Sequence, residues 1–562
     1  MGFTFQLGAI DLVIIIAFLV VMVTLGCWVG YKQRKSVRGS DFFLASRSLI
    51  WPWIGFSLFS TNISTVELVG LAQEGYRSGL VYGNLEWMAA LTLVILAIFF
   101  VPFYIRSKVA TLPDFLMKRY NNSCRIFEVV IALFSAVFIH IGFVLFSGAA
   151  AMKGLFNMPM IYSMAIMLFL TGLYTMVGGL KGVVLTDSVA TIVLITGSII
   201  MAAVGFHQVG GWEGLTAKID TDMLHMLRSH EELKAIDAPD MTWYGVFLGY
   251  PIIGIWYWCT DQTIVQRVLG AKNEKHAQMG SIFAGFLKIL PVFIFAMPGL
   301  ICLAMIQHGQ IPPLPLNPQG NPDTALAYAH MVTQILPMGV KGLVAAALLA
   351  AVMSSLSSAF NSIATVFCYD IYKPMRPAAS DRELIGVGRI VTVIAMVVGI
   401  GWASQIEKFG TILEVDSKMI CYVAPSITTV FLGGVLWKRA SAKGAFITLC
   451  AGTVMGAVIL VMDFFSDFWS QLPGFGPVFK FVWRDWSFMV ISFWLFIVCC
   501  VILYITSRLY PQQHTAESEA LVWKTPLAAL QRPGWRGLAN YKLVSAALLI
   551  IMALLYLLLQ LA

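Results

Sequence analysis

Charge is what this 562-residue sequence has least of. Only 12% of its residues are Asp, Glu, Lys or Arg, where an ordinary soluble domain carries about 25%. Hydrophobic residues make up 59%, and mean hydropathy is +0.81. A single soluble core does not grow to this length, so the composition excludes a soluble globular enzyme and points to a bundle of membrane spans. Catalytic signatures are missing too. The nine cysteines contain no Cys-x-x-Cys pair and suggest no disulfide framework, and the eight histidines contain no His-x-x-x-His pair. There is no Gly-x-x-x-x-Gly-Lys loop and no Gly-x-Ser-x-Gly elbow, so hydrolase and ATPase chemistry have nothing to rest on. No organic cofactor is expected.

What is present is apolar sequence of spanning length. The runs predict fourteen helices in one membrane domain over 1–562, at about 9–31, 49–72, 80–105, 125–152, 159–178, 182–207, 243–267, 277–305, 336–371, 384–405, 411–436, 442–463, 485–507 and 541–561. The first has no preceding basic region or convincing cleavage site, so it is expected to be retained. Most of the 37 Lys and Arg fall on one set of loops and helix ends, among them Lys32, Arg34, Lys35, Arg38, Arg47, Arg106, Lys108, Lys118, Arg119 and Arg125. Basic excess marks the cytoplasmic side, which puts both termini outside. The net charge of +8 reflects this asymmetry, not nucleic-acid binding. The lipid bilayer is the expected surrounding, and no obligatory protein partner is evident.

The second span is interrupted. Its core, IGFSLFSTNISTVELVG (54–70), holds Ser57, Ser60, Thr61, Asn62, Ser64, Thr65 and Glu67. Bare backbone polar groups are not tolerated in hydrocarbon, so a helix that breaks there must line a cavity or bind something. The seventh span is expected to break as well, at Gly249, Pro251 and Gly254, ahead of a polar Cys-Thr-Asp-Gln run. From the start of one broken span to the start of the other is five spans. That number is odd, so a repeat of this length returns inverted, and matched breaks in inverted repeats are the sequence signature of a transporter site.

The ninth span, LVAAALLAAVMSSLSSAFNSIATVF, supplies another signal. Ser354 and Ser358 lie about 40° apart around a helix, with Ala351 and Asn361 near the same face and Ser355 beside them. Such a stripe reads either as a small-residue packing seam or as a hard-cation site, in which hydroxyls join the carbonyls freed around Ser60 to Ile63. Four charges inside spans need partners: Glu67, Glu86, Asp187 and Lys288. A Glu86–Lys288 pair is either structural or a donor–acceptor set for a ligand's hydroxyls. Trp256, Tyr257 and Trp258 offer faces for stacking on a small polyol, or interfacial anchors. His140 is expected to be a satisfied structural histidine, with a proton relay as the other reading.

Long stretches resemble one family. WYWCTDQTIVQRVLGAKN (256–273), FLKILPVFIFAMPG (286–299), VMSSLSSAFNSIATVFCYDIYK (352–373), Glu86–Trp87 and Thr61–Ser64 are similar, in order and spacing, to the sodium/glucose cotransporter family of sodium:solute symporters, over about residues 40–440. The resemblance implies an all-α, LeuT-type five-plus-five inverted repeat (49–207 and 243–436). An extra N-terminal helix (9–31) and extra C-terminal helices (442–562) would flank it. It implies sodium held by the carbonyls of Ser60, Ile63 and Ala351 and the hydroxyls of Ser354 and Ser355, with Asp187, Ser354 and Ser358 for a second ion in some members. It places a sugar among Glu86, Lys288, Glu67, Trp258 and Ser417, above an inner gate at Tyr257 and below an outer gate at Leu71. The departures are Glu67, where glutamine or histidine is usual, Gly254 in place of asparagine and Ser417 in place of glutamine. Each alters a hydrogen bond that chooses among hydroxyls.

The expectation is therefore sodium-coupled uptake of a small neutral sugar or inositol by alternating access. The alternatives are a sodium symporter for a carboxylate, sialic acid or amino acid, or a non-transporting nutrient sensor on the same scaffold. The loop at about 306–335 lacks cysteine, unlike that of the animal members, which suggests a bacterial inner membrane.

Overall fold

Hydrocarbon gives an exposed peptide group no partner, which leaves the α-helix as the way for apolar segments such as these to cross a bilayer. The computed structural model describes residues 8–33, 38–156, 158–236, 238–316, 320–406, 412–473 and 486–561. Helix accounts for 82%, and no β-strand occurs among the described residues. Residues 411 and 485, where two expected spans begin, lie outside the described residues, as do Arg34 and Lys35.

Among the described residues eleven helices, not fourteen, are long and apolar enough to cross a membrane. The difference has a structural cause. The second and seventh expected spans are divided into shorter helices, and the fifth and sixth run on as one element, Met160–Val209. At 50 residues a straight rod would be about 75 Å long, more than twice a bilayer's hydrocarbon core. Gly179 breaks it, at φ +57° and ψ −164°. A side chain there would also overlap the carbonyl of Phe42, so glycine serves both the backbone angle and the close approach.

The elements around the site are α1 (Ala9–Gln33), α2 (Trp51–Asn62), α3 (Thr65–Ser78), α4 (Asn84–Ile95), α5 (Met160–Val209), α6 (Trp243–Ile255), α7 (Gln262–Leu269), α8 (Glu274–Leu287), α9 (Val340–Val366) and α10 (Ile412–Leu436). Three helices that start at predicted cytoplasmic loops carry side-chain caps for their first free amides. Asn121 accepts from Cys124 N–H at 3.0 Å, Asn273 from His276 N–H at 3.0 Å, and Ser441 from Gly444 N–H at 3.1 Å. The start of α9 is capped from another helix. Asp11 of α1 accepts from the amides of Gly339 and Gly342 at 2.7 and 2.8 Å, which fixes the serine-bearing helix against the first span. The outer half of the broken helix is seated by small residues. Gly75 of α3 lies against the carbonyl of Ala296, and Gly299 against that of Ala72, so a methyl group on either would overlap the neighbour's backbone.

The second break lies lower than expected. The helix runs through Gly249 and Pro251 to Ile255, widens into a π-turn at Trp256–Thr260, and opens at Asp261 (φ −78°, ψ 125°). Asp261 then caps α7, accepting from Thr263 N–H at 2.7 Å. The glycines serve packing instead: Gly249 abuts the backbone of Met489, and Gly254 the side chain of Thr92.

Arg125 locks the start of the fourth span to the end of the ninth. Its Nε donates to Asp370 Oδ1 at 3.0 Å, and an Nη donates to the Asp370 carbonyl at 2.8 Å. Both side chains are nearly out of contact with solvent. Removing one partner of such a pair costs about 3–5 kcal/mol. Arg125→Ala should therefore lower the melting temperature of the purified protein markedly, and Arg125→Met with Asp370→Leu should recover most of the loss. Equal melting of Arg125→Ala and wild type would show the pair to be ornamental.

Candidate functional site

The break in the second span is built by two side chains. In a continuous helix the amides of Ser64 and Val66 would take the carbonyls of Ser60 and Asn62. Here Ser64 N–H donates to Glu67 Oε2 at 2.8 Å, and Val66 N–H donates to Ser64 Oγ at 3.0 Å. Ser64 Oγ–H also donates to Glu67 Oε2, at 2.5 Å. This reciprocal capping box starts α3 afresh and leaves the two carbonyls without intrahelical partners. Ile63 and Ser64 are extended. Glu67, expected to touch substrate, thus has one oxygen committed to the break, although its side chain also lines the cavity.

α9 lies directly against this opening. Ser355 Oγ–H donates to the Thr61 carbonyl at 2.9 Å, and the Thr61 and Ser358 hydroxyls are 3.0 Å apart. Ser354 Oγ–H donates to Asp187 Oδ1 at 2.7 Å, and Ser57 Oγ–H to Asp187 Oδ2 at 2.6 Å. Ser354 and Ser355 spend their protons on other groups, so the lone pairs of both oxygens remain to face a cation. Ser60, Ile63 and Ala351 are fully buried, and Ser60 Oγ has no hydrogen-bond partner. The Ser355–Thr61 bond brings α9 against the break that holds Ser60 and Ile63, and carbonyls and hydroxyls of this kind fit a hard monovalent ion.

The expected second-ion residues are together as well, but a cation is already there. Arg267 of α7 donates from Nε to Ser57 at 3.0 Å, bonds Ser358 and the Thr263 carbonyl, and stands 3.9 Å from Asp187 Oδ2. It is 1% exposed and Asp187 is 0% exposed, so the guanidinium compensates the buried carboxylate. Sequence reasoning passed over Arg267. Its signal was a basic residue inside the stretch following the seventh-span break.

Thr61, Asn62, Ser64 and Ser355 also line a cavity of about 140 Å³. One water needs about 10–15 Å³ on this measure, so the space takes on the order of ten atoms, the size of a hexose ring and its hydroxyls. Asn62 forms its floor, donating from Nδ2 to the Tyr257 hydroxyl at 3.1 Å and accepting from Lys288 Nζ. Lys288 also pairs with Glu86, and its Nζ stands 5.4 Å from the Trp258 ring. The helix ends favour this pair. Glu86 is in the first turn of α4 and Lys288 caps the C-terminus of α8, each where the helix dipole favours its charge. Trp87, next to Glu86, donates to the Ile289 carbonyl at 3.2 Å and packs edge-on against Tyr556, tying the two helices together.

Tyr257, Trp258, Ser417 and Leu71 all line this cavity, as expected. So do three residues the sequence reading left outside the site: Asn62, His140 and Asp416. His140 Nε2 is 3.1 Å from Asp261 Oδ2, so the histidine is partnered, yet it faces the cavity. Asn62 stood within the polar interruption, which could have flagged it. Asp416 and Asp261 are carboxylates inside predicted spans, which is itself the signal that was missed.

The sodium:solute symporter family model matches residues 42–452. Sodium/glucose cotransporter 4 of Danio rerio is 34% identical over 480 residues, covering 82% of this chain and 73% of that one. Sodium/myo-inositol cotransporter 2 of Sus scrofa is 35% identical over 476 residues, covering 81% and 70%. A substrate-bound, outward-open Na⁺-coupled sialic acid symporter superposes with a TM-score of 0.74 at 20% identity, covering 91% of this chain and 100% of that one, which places the chain on the LeuT-type fold. The chain is an integral membrane protein that belongs to the sodium:solute symporter family.

Proposed function

We propose that this protein is a sodium-coupled symporter that takes up a small neutral polyhydroxylated solute, a sugar or an inositol, by alternating access. One observation carries the reading. Two adjacent residues of the break link the serine helix to the cavity: Thr61 is bonded to Ser355, Asn62 is bonded to Lys288 and Tyr257, and all five line the same space. An ion seated beside Ser355 and Thr61 therefore alters the cavity wall at the neighbouring Asn62. The similarity to sodium/glucose and sodium/myo-inositol cotransporters supports the same reading.

In this account sodium takes the carbonyls of Ser60, Ile63 and Ala351 and the hydroxyls of Ser354 and Ser355. It joins α2 to α9 and orders the cavity. Glu86 and Lys288 exchange hydrogen bonds with the solute's hydroxyls, Trp258 and Ser417 flank it, Tyr257 closes beneath it and Leu71 above it. Glu67 acts through the break. An anionic substrate such as a carboxylate is disfavoured, because Glu67, Glu86 and Asp416 face the cavity and its lysine is paired with Glu86. We read the coupling as one sodium per cycle, with Arg267 supplying beside Asp187 the positive charge that a second ion would bring. Residues 49–207 and 243–436 form the two inverted repeats, both termini face outward, and the chain resides in a bacterial inner membrane. One charge crossing 100 mV yields about 2.3 kcal/mol, which sustains on the order of a 50-fold gradient of neutral solute.

Proteoliposome uptake tests each part. Uptake of labelled glucose or myo-inositol should depend on external sodium and fail with potassium, and indifference to the cation would defeat the symport reading. Ser355→Ala should raise the sodium concentration for half-maximal uptake about tenfold or more; an unchanged value would remove Ser355 from the ion site. Lys288→Ala should reduce uptake at least a hundredfold while the protein remains folded, and wild-type rates would make the Glu86 pair scaffolding. Charge moved per sugar should be one, and a value of two would put a second ion at Asp187 after all.

A further inference from the structure

The cavity's charges do not balance. Lys288 is paired with Glu86, Arg267 stands with Asp187, and His140 bonds Asp261. Lys418, two residues from Asp416, points away and pairs with Asp463 at 3.0 Å. Asp416 lines the cavity with Glu67 and His140 as its charged neighbours. Among the described residues its carboxylate makes no hydrogen bond or ion pair, in contrast to the other acids there. A neutral polyol can donate hydroxyls to Asp416 but brings no counter-charge to this half-buried carboxylate in a largely apolar chamber. Tyr257, Trp258 and Phe488 also line the cavity, and aromatic faces receive a sugar's apolar face and also an ammonium group.

We propose that the same cavity accepts, and favours over the neutral parent sugar, a polyhydroxylated ring bearing a protonated amine, an amino sugar or aminocyclitol, with the ammonium on Asp416 and the ring hydroxyls on Glu86 and Lys288. This deepens the uptake reading given above and rests on it. The cationic solute then enters with sodium, so each turnover carries one more positive charge than turnover of a neutral sugar.

The test uses the full-length protein in proteoliposomes at a pH where the amine is protonated. Competition against labelled glucose uptake compares glucosamine, glucose and N-acetylglucosamine, whose nitrogen is uncharged. Glucosamine should compete at a concentration at least tenfold lower than glucose, and N-acetylation should remove that advantage. Charge moved per substrate should be one unit higher for glucosamine. In Asp416→Asn the glucosamine-to-glucose preference should fall at least tenfold. Equal competition by glucosamine and glucose, an N-acetylated sugar as good as the amine, or an unchanged preference in Asp416→Asn would each overturn the proposal while leaving sodium–sugar symport intact. Sodium-independent uptake of every sugar would instead overturn the reading on which it rests. The N-acetyl comparison needs no variant, so it decides the matter even if Asp416→Asn fails to fold.

Discussion

Everything in this structure turns on a helix that stops in the middle of a membrane. Carbonyls released in hydrocarbon must find partners or line a polar space, and the capping box of Ser64 and Glu67 releases them by satisfying the competing amides from within the segment. The break is therefore a built feature. Within five residues the Thr61 carbonyl accepts from Ser355 of α9 and the Asn62 carboxamide bonds Tyr257 and Lys288 at the cavity. The remaining architecture supports that arrangement: Asp11 fixes the start of α9, Gly75 and Gly299 let the outer half of the broken helix pack tightly, and Trp87 holds the Glu86 helix against the Lys288 helix.

Electrostatics divide the interior into two compartments. Around Asp187, Arg267 and the hydroxyls of Ser57, Ser354 and Ser358, charge is matched and nearly every polar atom has a partner. Such a network is rigid because breaking it strands a buried ion. Around the cavity the matching is incomplete, with polar groups that await something from outside. That contrast separates a scaffold from a binding site more sharply than residue type does, since both compartments contain serines, acids and a basic residue.

Much of the fold was legible in the sequence, because spans of about twenty apolar residues are a strong signal and the polar run around Asn62 has no other explanation in a membrane helix. The junction of Thr61 with Ser355, and the pairing of Glu86 with Lys288, were likewise readable from residue types that need partners. Other features were not. The seventh span breaks at Asp261 instead of near Pro251, since proline is tolerated inside a membrane helix and an aspartate able to cap the next helix decides where the chain opens. The count of continuous spans fell to eleven because the fifth and sixth run on as one element kinked at Gly179 and the two breaks divide others. Arg267 and Asp416 escaped notice for opposite reasons: one was read as a cytoplasmic basic residue, the other sat near the start of a span where charge is common.

The central claim is that ion and solute act on adjacent residues of one short segment, so each must improve the other's binding by the same factor. Equilibrium binding to the purified protein measures this directly: the dissociation constant of the sugar across a sodium series, and that of sodium across a sugar series. The account predicts a gain in sugar affinity with sodium and an equal gain in sodium affinity with sugar. Sugar affinity that does not change with sodium would contradict it.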